Sequence, residues 1–190
     1  MDIVGILLAA GRGVRFDPSG EQDKLMQALP DGERVAATSA RHLLQALPTV
    51  LAVVRSGADH LGKLLGALGC SVETCVDADT GMAASLIAGL KKTREADAWL
   101  IALADMPHVK VSTLEALVHA LRDGAEIVQP TYRGKGGNPV GFSRRHLTQL
   151  LGLEGDQGAR ALLQQHAVVK VEVDDDGIFR DIDTVSDLHE

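Results

Sequence analysis

Three cationic side chains, Arg12, Arg15 and Lys24, lie in or shortly after the segment Leu8-Ala9-Ala10-Gly11-Arg12-Gly13-Val14-Arg15-Phe16. The small residues Ala9, Ala10, Gly11 and Gly13 let backbone N–H groups come close to phosphate oxygens, and the three cations can neutralise those oxygens. Taken alone, a Gly-x-Gly turn after a strand is equally well a tight βα turn carrying solvated arginines. Two better-known phosphate loops are excluded. Phe16 stands where a dinucleotide fingerprint requires its last glycine, and no Gly-Lys-Ser/Thr follows.

Carboxylates form the complementary set. Asp105 closes the apolar run 98–104 and precedes Met106-Pro107. At a strand's carboxyl end such a group can hold Mg²⁺, which in turn bridges substrate phosphates; an isolated aspartate there can equally cap a turn or helix. Asp181 and Asp183, in Asp181-Ile182-Asp183-Thr184, share one face if that stretch is extended. Asp174, Asp175 and Asp176 read as an ordinary polar turn. Asp79-Thr80-Gly81-Met82-Ala83-Ala84-Ser85 opens a helix whose N–H groups and Ser85 hydroxyl can read polar atoms of a nucleoside, although Asp79 or Thr80 could simply cap that helix.

The elements that must position these groups alternate. Strands are expected at 2–9, 49–54, 70–76, 98–104 and 125–129, with helices at 36–47, 58–68, 82–93 and 112–122 between them. Unbroken apolar strands separated by helices predict a mainly parallel sheet covered on both faces, an α/β three-layer α/β/α Rossmann-like architecture. In such a sheet ligands bind beyond the carboxyl ends of the strands, where the glycine loop and Asp105 fall. The second half is less regular. A flexible basic loop at 132–139 leads to a short strand at 140–142 that runs antiparallel. Helices near 144–151 and 158–166, a strand at 168–173, an extended stretch 178–183 and a brief terminal helix follow. With no linker or repeat, one domain over 1–190 is expected.

Composition narrows the partners. At 190 residues and 45% hydrophobic the chain can bury one substantial core, and a net charge of −7 argues against nucleic acid, which needs a basic face. No apolar run is long enough for a signal sequence or a membrane span. Cys70 and Cys75 lack a second pair to complete a zinc site and read as reduced thiols of a cytoplasmic protein. The seven histidines show no metal spacing, no serine has a nucleophile-elbow context, and the few aromatics, Trp99 included, are expected in the core.

The whole string Leu-Ala-Ala-Gly-Arg-Gly-x-Arg-Phe, followed by Asp23-Lys24-Leu25, resembles the signature of nucleotidyltransferases related to molybdenum-cofactor cytidylyltransferase. Further elements resemble that family in order: Gly81-Met82-x-x-Ser85-Leu86, Leu103-Ala104-Asp105-Met106-Pro107, Gly137-Asn138-Pro139, Gly155-Asp156-Gln157-Gly158-Ala159-Arg160 and Asp181-Ile182-Asp183-Thr184. The resemblance implies the nucleotide-diphospho-sugar transferase type of fold, with the loop around a nucleoside triphosphate and Ala9, Ala10, Gly11, Arg12, Gly13, Asp79, Gly81, Met82 and Ser85 at the nucleotide. It implies Mg²⁺ on Asp105 and Asp183, with Asp181 as second choice, and Lys24 and Arg15 stabilising the leaving pyrophosphate. Gly137, Asn138 and Arg160 would border the acceptor, with Arg133 or Lys135 as alternatives for its phosphate. Two departures stand out: Asp17-Pro18-Ser19-Gly20 lengthens the path to Lys24, and Asn138 replaces a histidine.

The implied reaction is in-line transfer of CMP from CTP to the molybdopterin form of molybdenum cofactor, because Leu-Ala-Ala-Gly is more like the cytidylyl branch than the guanylyl Leu-Ala-Gly-Gly. The implied further partner is a molybdoenzyme or its chaperone. A guanylyltransferase for the same cofactor, a cytidylyltransferase for a sugar or polyol phosphate, and a non-catalytic cofactor-binding chaperone remain as alternatives.

Overall fold

The computed structural model describes residues 1–156 and 158–189. Eight strands form one sheet: β1 (Ile3–Ala9), β2 (Val50–Arg55), β3 (Ser71–Cys75), β4 (Ala98–Leu103), β5 (Ile127–Tyr132), β6 (Lys135–Gly136), β7 (Val140–Ser143) and β8 (Val169–Glu172). Their order is β3-β2-β1-β4-β7-β5-β6, and β8 pairs with β5. The pairs β1–β2, β2–β3, β1–β4 and β5–β8 are parallel, whereas β7 lies antiparallel between β4 and β5. The chain therefore winds from β1 outward through β2 and β3, then returns to place β4 on β1's other side. That reversal opens a crevice at the carboxyl ends of β1 and β4.

Alternation along β1 sends Ile3, Leu7 and Ala9 to one face and Val4 and Ile6 to the other. The first face packs under α1 (Val35–Ala46), α2 (Asp59–Ala67) and α4 (Val111–Arg122). The second packs under α3 (Met82–Lys92), α5 (Leu147–Leu151) and α6 (Arg160–Leu163). This is the three-layer α/β architecture that the alternation predicts.

The second half departs from expectation in several places. The helix predicted over 158–166 is a single turn, Arg160–Leu163, because hydrogen bonds such as Ala161 N–H to Gly158 tighten that stretch to three-residue spacing. The strand expected at 125–129 runs instead over 127–132, and the basic loop folds back as β6. Its turn is Arg133-Gly134, both with positive φ. The stretch 178–183 begins as the end of a 3-10 turn, Asp176–Phe179. Asp175 is no bland turn residue: 1% exposed, its carboxylate accepts from Lys110 N–H at 2.9 Å, Thr113 Oγ1 at 2.6 Å and Gly177 N–H at 3.0 Å. It fastens that turn to the start of α4. Cys70 and Cys75 are buried and free, with the Cys70 thiol pushed up to about 11 by burial. Among the described residues no helix is long and apolar enough to cross a membrane.

Candidate active site

The carboxyl end of β4 delivers Asp105, and a short 3-10 turn, Lys24–Met26, delivers Lys24. Asp23 caps that turn by accepting from Leu25 N–H at 3.0 Å, and buried Leu25 anchors it. The inserted loop is closed on itself by Asp17, whose carboxylate accepts from Ser19 Oγ at 2.6 Å, Ser19 N–H at 2.9 Å and Gln22 N–H at 2.7 Å. Those bonds hold its carboxyl below the usual carboxylate range, the Ser19 side chain contributing most. The extra length is thus absorbed locally, and Lys24 still reaches the strand end.

Lys24 is 8% exposed, and its ammonium sits at a convergence of oxygens. It donates to Asp105 Oδ2 at 2.6 Å and to the Ile182 carbonyl at 2.9 Å, and it lies 3.5 Å from Asp183 Oδ1. Ile182 N–H in turn donates to the Asp105 carbonyl at 2.8 Å, which stitches the terminal stretch to the end of β4. Asp187 secures the turn beyond by accepting from Asp183 N–H at 2.9 Å and Thr184 N–H at 2.6 Å; these backbone bonds, Thr184's foremost, hold its carboxyl low. Asp181 is held above the usual range by its partial desolvation in the cleft, and the nearby Asp183 and Asp105 charges add to this.

The glycine loop gives its two arginines different partners. Arg12 Nε lies 3.4 Å from Asp79 Oδ1, and Arg15 forms an ion pair with Asp183. Asp79 caps nothing; the N-cap of α3 is Gly81, with φ +125. A Cβ on Gly81 would meet the Gly155 carbonyl at 2.3 Å, so only glycine admits the loop that passes there. That loop uses one of the N–H groups expected to be free at the start of α3, since Ala83 N–H donates to Gly155 O at 3.0 Å.

Two adjoining clefts result. The first, of about 310 Å³, is lined by Ala10, Gly11, Arg12, Lys24, Asp79, Gly81, Met82, Ser85 and Asp105 among others. The second, of about 570 Å³, is lined by Asn138, Arg160, Phe179 and Asp181 with an apolar floor. Leu8, Met82, Leu103 and Asp156 border both. Some predicted residues fall elsewhere. Ala9 is buried in the core under α1 and α2. Gly13 lies behind Lys24, where a Cβ would stand 3.4 Å from the lysine's Cγ. Gly137 is packed beneath Ile178, whose carbonyl a Cβ would meet at 2.5 Å. Arg15 and Asp183 pair with each other and line neither cleft. Arg133 stacks on Tyr132, 5.0 Å from its centroid, and neither it nor Lys135 lines the second cleft.

Sequence reasoning gave Phe179 no place in the site and Asp156 no role of its own. Phe16, Trp99 and Phe142 are buried as expected, but Phe179 is 39% exposed in the second cleft. No periodic pattern marks a side chain on an irregular turn. The Gly155–Arg160 element that resembles the family contains Gln157, which lies outside the described residues.

A crevice at a topological switch point, gathering a glycine loop, a buried lysine and paired carboxylates, defines a nucleotide-handling α/β fold. Residues 5–171 match the model of the MobA-like NTP transferase domain, and the chain belongs to this family of nucleotidyltransferases. It is 34% identical over 196 residues to the purine catabolism protein PucB of Bacillus subtilis (strain 168), covering 96% of this chain and 92% of that one. The crystal structure of Rv0371c from Mycobacterium tuberculosis H37Rv superposes with a TM-score of 0.85 at 27% identity, covering 98% and 95% of the two chains. A structure of the same mycobacterial protein in complex with manganese gives 0.79 at 25%, covering 98% and 96%. A nucleotidyl transferase from Methanothermobacter thermautotroptrophicus gives 0.80 at 25%, covering 98% and 94%.

Proposed function

We propose that this protein transfers CMP from CTP to a molybdopterin-type acceptor carrying a phosphate, releasing pyrophosphate. One observation carries the reading: Lys24 and Asp105, which line the first cleft, converge with Asp183, and Asp181 of the second cleft is two residues away. The first cleft takes the nucleotide. Gly11, Arg12, Arg15 and Lys24 hold the triphosphate, while Asp79, Gly81, Met82 and Ser85 border the nucleoside. The Ala10 methyl group takes space in this cleft that glycine would leave open, which favours cytosine over the larger guanine.

Two carboxylates aimed at one ammonium are also suitably placed for one divalent cation. Mg²⁺ is commonly held by one or two carboxylates together with substrate phosphates. Mg²⁺ on Asp105 and Asp183 would supply charge neutralisation at the phosphates. The chain's own residues do the rest. Lys24 and Arg15 stabilise the pyrophosphate as it leaves, and the apolar floor of the second cleft excludes water that would compete with the acceptor. An acceptor phosphate oxygen attacks the α-phosphorus in line, the bond to the bridging oxygen breaks, and no covalent enzyme intermediate forms.

The second cleft suits a flat acceptor with a charged end. Phe179 presents an aromatic face, and Arg160 offers a bidentate partner for the phosphate. Asn138 donates to Met106 Sδ at 3.6 Å and serves as a hydrogen-bonding rather than proton-transferring residue. The name of PucB points to purine catabolism, and we take a cytoplasmic molybdoenzyme of that process, or its chaperone, as the recipient of the product. The test supplies Mg²⁺, the molybdopterin acceptor and each of the four NTPs in turn, and measures pyrophosphate. Release with CTP is expected. Release with GTP alone would make the protein a guanylyltransferase, and tight acceptor binding with no pyrophosphate from any NTP would make it a tether.

A further inference from the structure

Each cation of the proposed triphosphate site, Arg12, Arg15 and Lys24, is paired with a carboxylate. Arg12 is on Asp79 at 3.4 Å, Arg15 is on Asp183, and Lys24 is on Asp105 at 2.6 Å and Asp183 at 3.5 Å. The first two pairs are solvent-exposed and exchange easily. The third is different. Lys24 is buried, and its ammonium occupies the point where the oxygens of Asp105 and Asp183 converge.

We infer that Lys24 is the resident counter-ion of the metal site, and that the triphosphate completes that site by drawing Lys24 away from the two carboxylates. An ammonium and a divalent cation cannot share this oxygen pair at such distances without strong like-charge repulsion. Nor can Lys24 leave unaided, because a buried cation stripped of its partners is costly. Phosphate oxygens are the replacement partners. Their arrival lets the lysine move from carboxylate to phosphate and frees the carboxylates together. Metal and nucleotide are then positively coupled, each raising the affinity for the other by the same factor. Ile182 supports this role: its carbonyl holds the lysine, and its N–H binds the Asp105 carbonyl, so the terminal stretch and the β4 end respond as a unit.

The inference rests on the reading of Asp105 and Asp183 as metal ligands, and the experiment separates the two. Free Mn²⁺ is followed by its electron paramagnetic resonance signal during titration with protein in the absence of nucleotide. Wild type should bind weakly, Lys24→Arg likewise because a cation is retained, and Lys24→Met at least tenfold more tightly. Tight binding to nucleotide-free wild type would overturn the counter-ion role, an arm that depends on no variant folding. So would a folded Lys24→Met protein, checked by circular dichroism, that binds no better than wild type. Adding Asp105→Asn to Lys24→Met should abolish the gained affinity. If the gain persists, the ion sits elsewhere, and it is the metal-ligand reading that fails.

Discussion

The two clefts of this crevice are built from different materials. The cleft proposed for the nucleotide rests on the ends of β1 and β4 and the start of α3, and its charges are paired: Arg12 with Asp79 and Lys24 with Asp105, while Asp183, outside its lining, is shared between Lys24 and Arg15. The cleft proposed for the acceptor is larger, about 570 Å³ against about 310 Å³, and shares the ends of β1 and β4 and the start of α3 while adding the 3-10 turn 176–179, the segment before α6 and the link between β6 and β7. Its floor is apolar and its charges are few. On the proposed reading, the reacting groups gather over the strand ends that both clefts share, and the acceptor side adds irregular connections that can vary without disturbing them.

That division makes predictions that can break it. The largest effect belongs to Asp105→Ala, which should lower kcat by about 100-fold or more with the fold intact, the scale of a lost electrostatic element. Unchanged turnover with CTP would remove Asp105 from the chemistry. Gly81→Ala tests the seam between the clefts. The new Cβ would collide with the Gly155 carbonyl at 2.3 Å and should destabilise the protein by about 1–3 kcal/mol, with KM rising for both substrates. A wild-type melting temperature would show that the seam yields.

Phe179→Ala and Arg160→Ala should each raise the acceptor KM by about tenfold, the loss expected of a stacking face or a charged hydrogen bond, and leave the nucleotide KM alone. A change confined to the nucleotide KM would merge the clefts. Ala10→Gly should shift the CTP/GTP preference toward GTP by a few-fold, read from paired kcat/KM values, as expected for one methyl group in a pocket. The smallest effect concerns acid. Asp17 and Asp187 have lowered folded pKa values, so they contribute stability that is fully present above the unfolded carboxylate value near 4 and is lost as pH falls through the folded values. Hydrogen exchange should show residues 17–22 and 183–187 loosening at such pH before the core does. Uniform loosening would show that these carboxylates do not fasten their turns.

Legibility followed the same divide. The glycine loop, the Gly81–Ser85 helix start and the Asp105 strand end were readable because each is a local pattern whose backbone state its own residues impose. The predicted strands β1 to β4 agree with the structure to within a residue or two at most ends, since a buried parallel strand shows itself as an unbroken apolar run. Phe179 was not readable, because an aromatic on an irregular turn has no period to reveal which way it faces. Asp175 misled for a related reason. Three consecutive aspartates look like solvent-facing turn residues, and only the approach of α4 from elsewhere in the chain gives one of them buried donors. The single turn of α6 escaped as well, where a local apolar pattern overstated the helix.

Sequence alone determined the α/β class and the family, and it nominated the cations and acids proposed for the site, because apolar periodicity and contiguous motifs act over a few residues. Tertiary structure decided which acid meets which cation. Lys24 reaches the Ile182 carbonyl across a separation of 158 residues and Asp105 across 81, contacts set by the reversal in strand order and the docking of the terminal stretch on β4. Charge type is encoded residue by residue, whereas electrostatic partnership depends on distance in space, and distance exists only once the sheet has assembled.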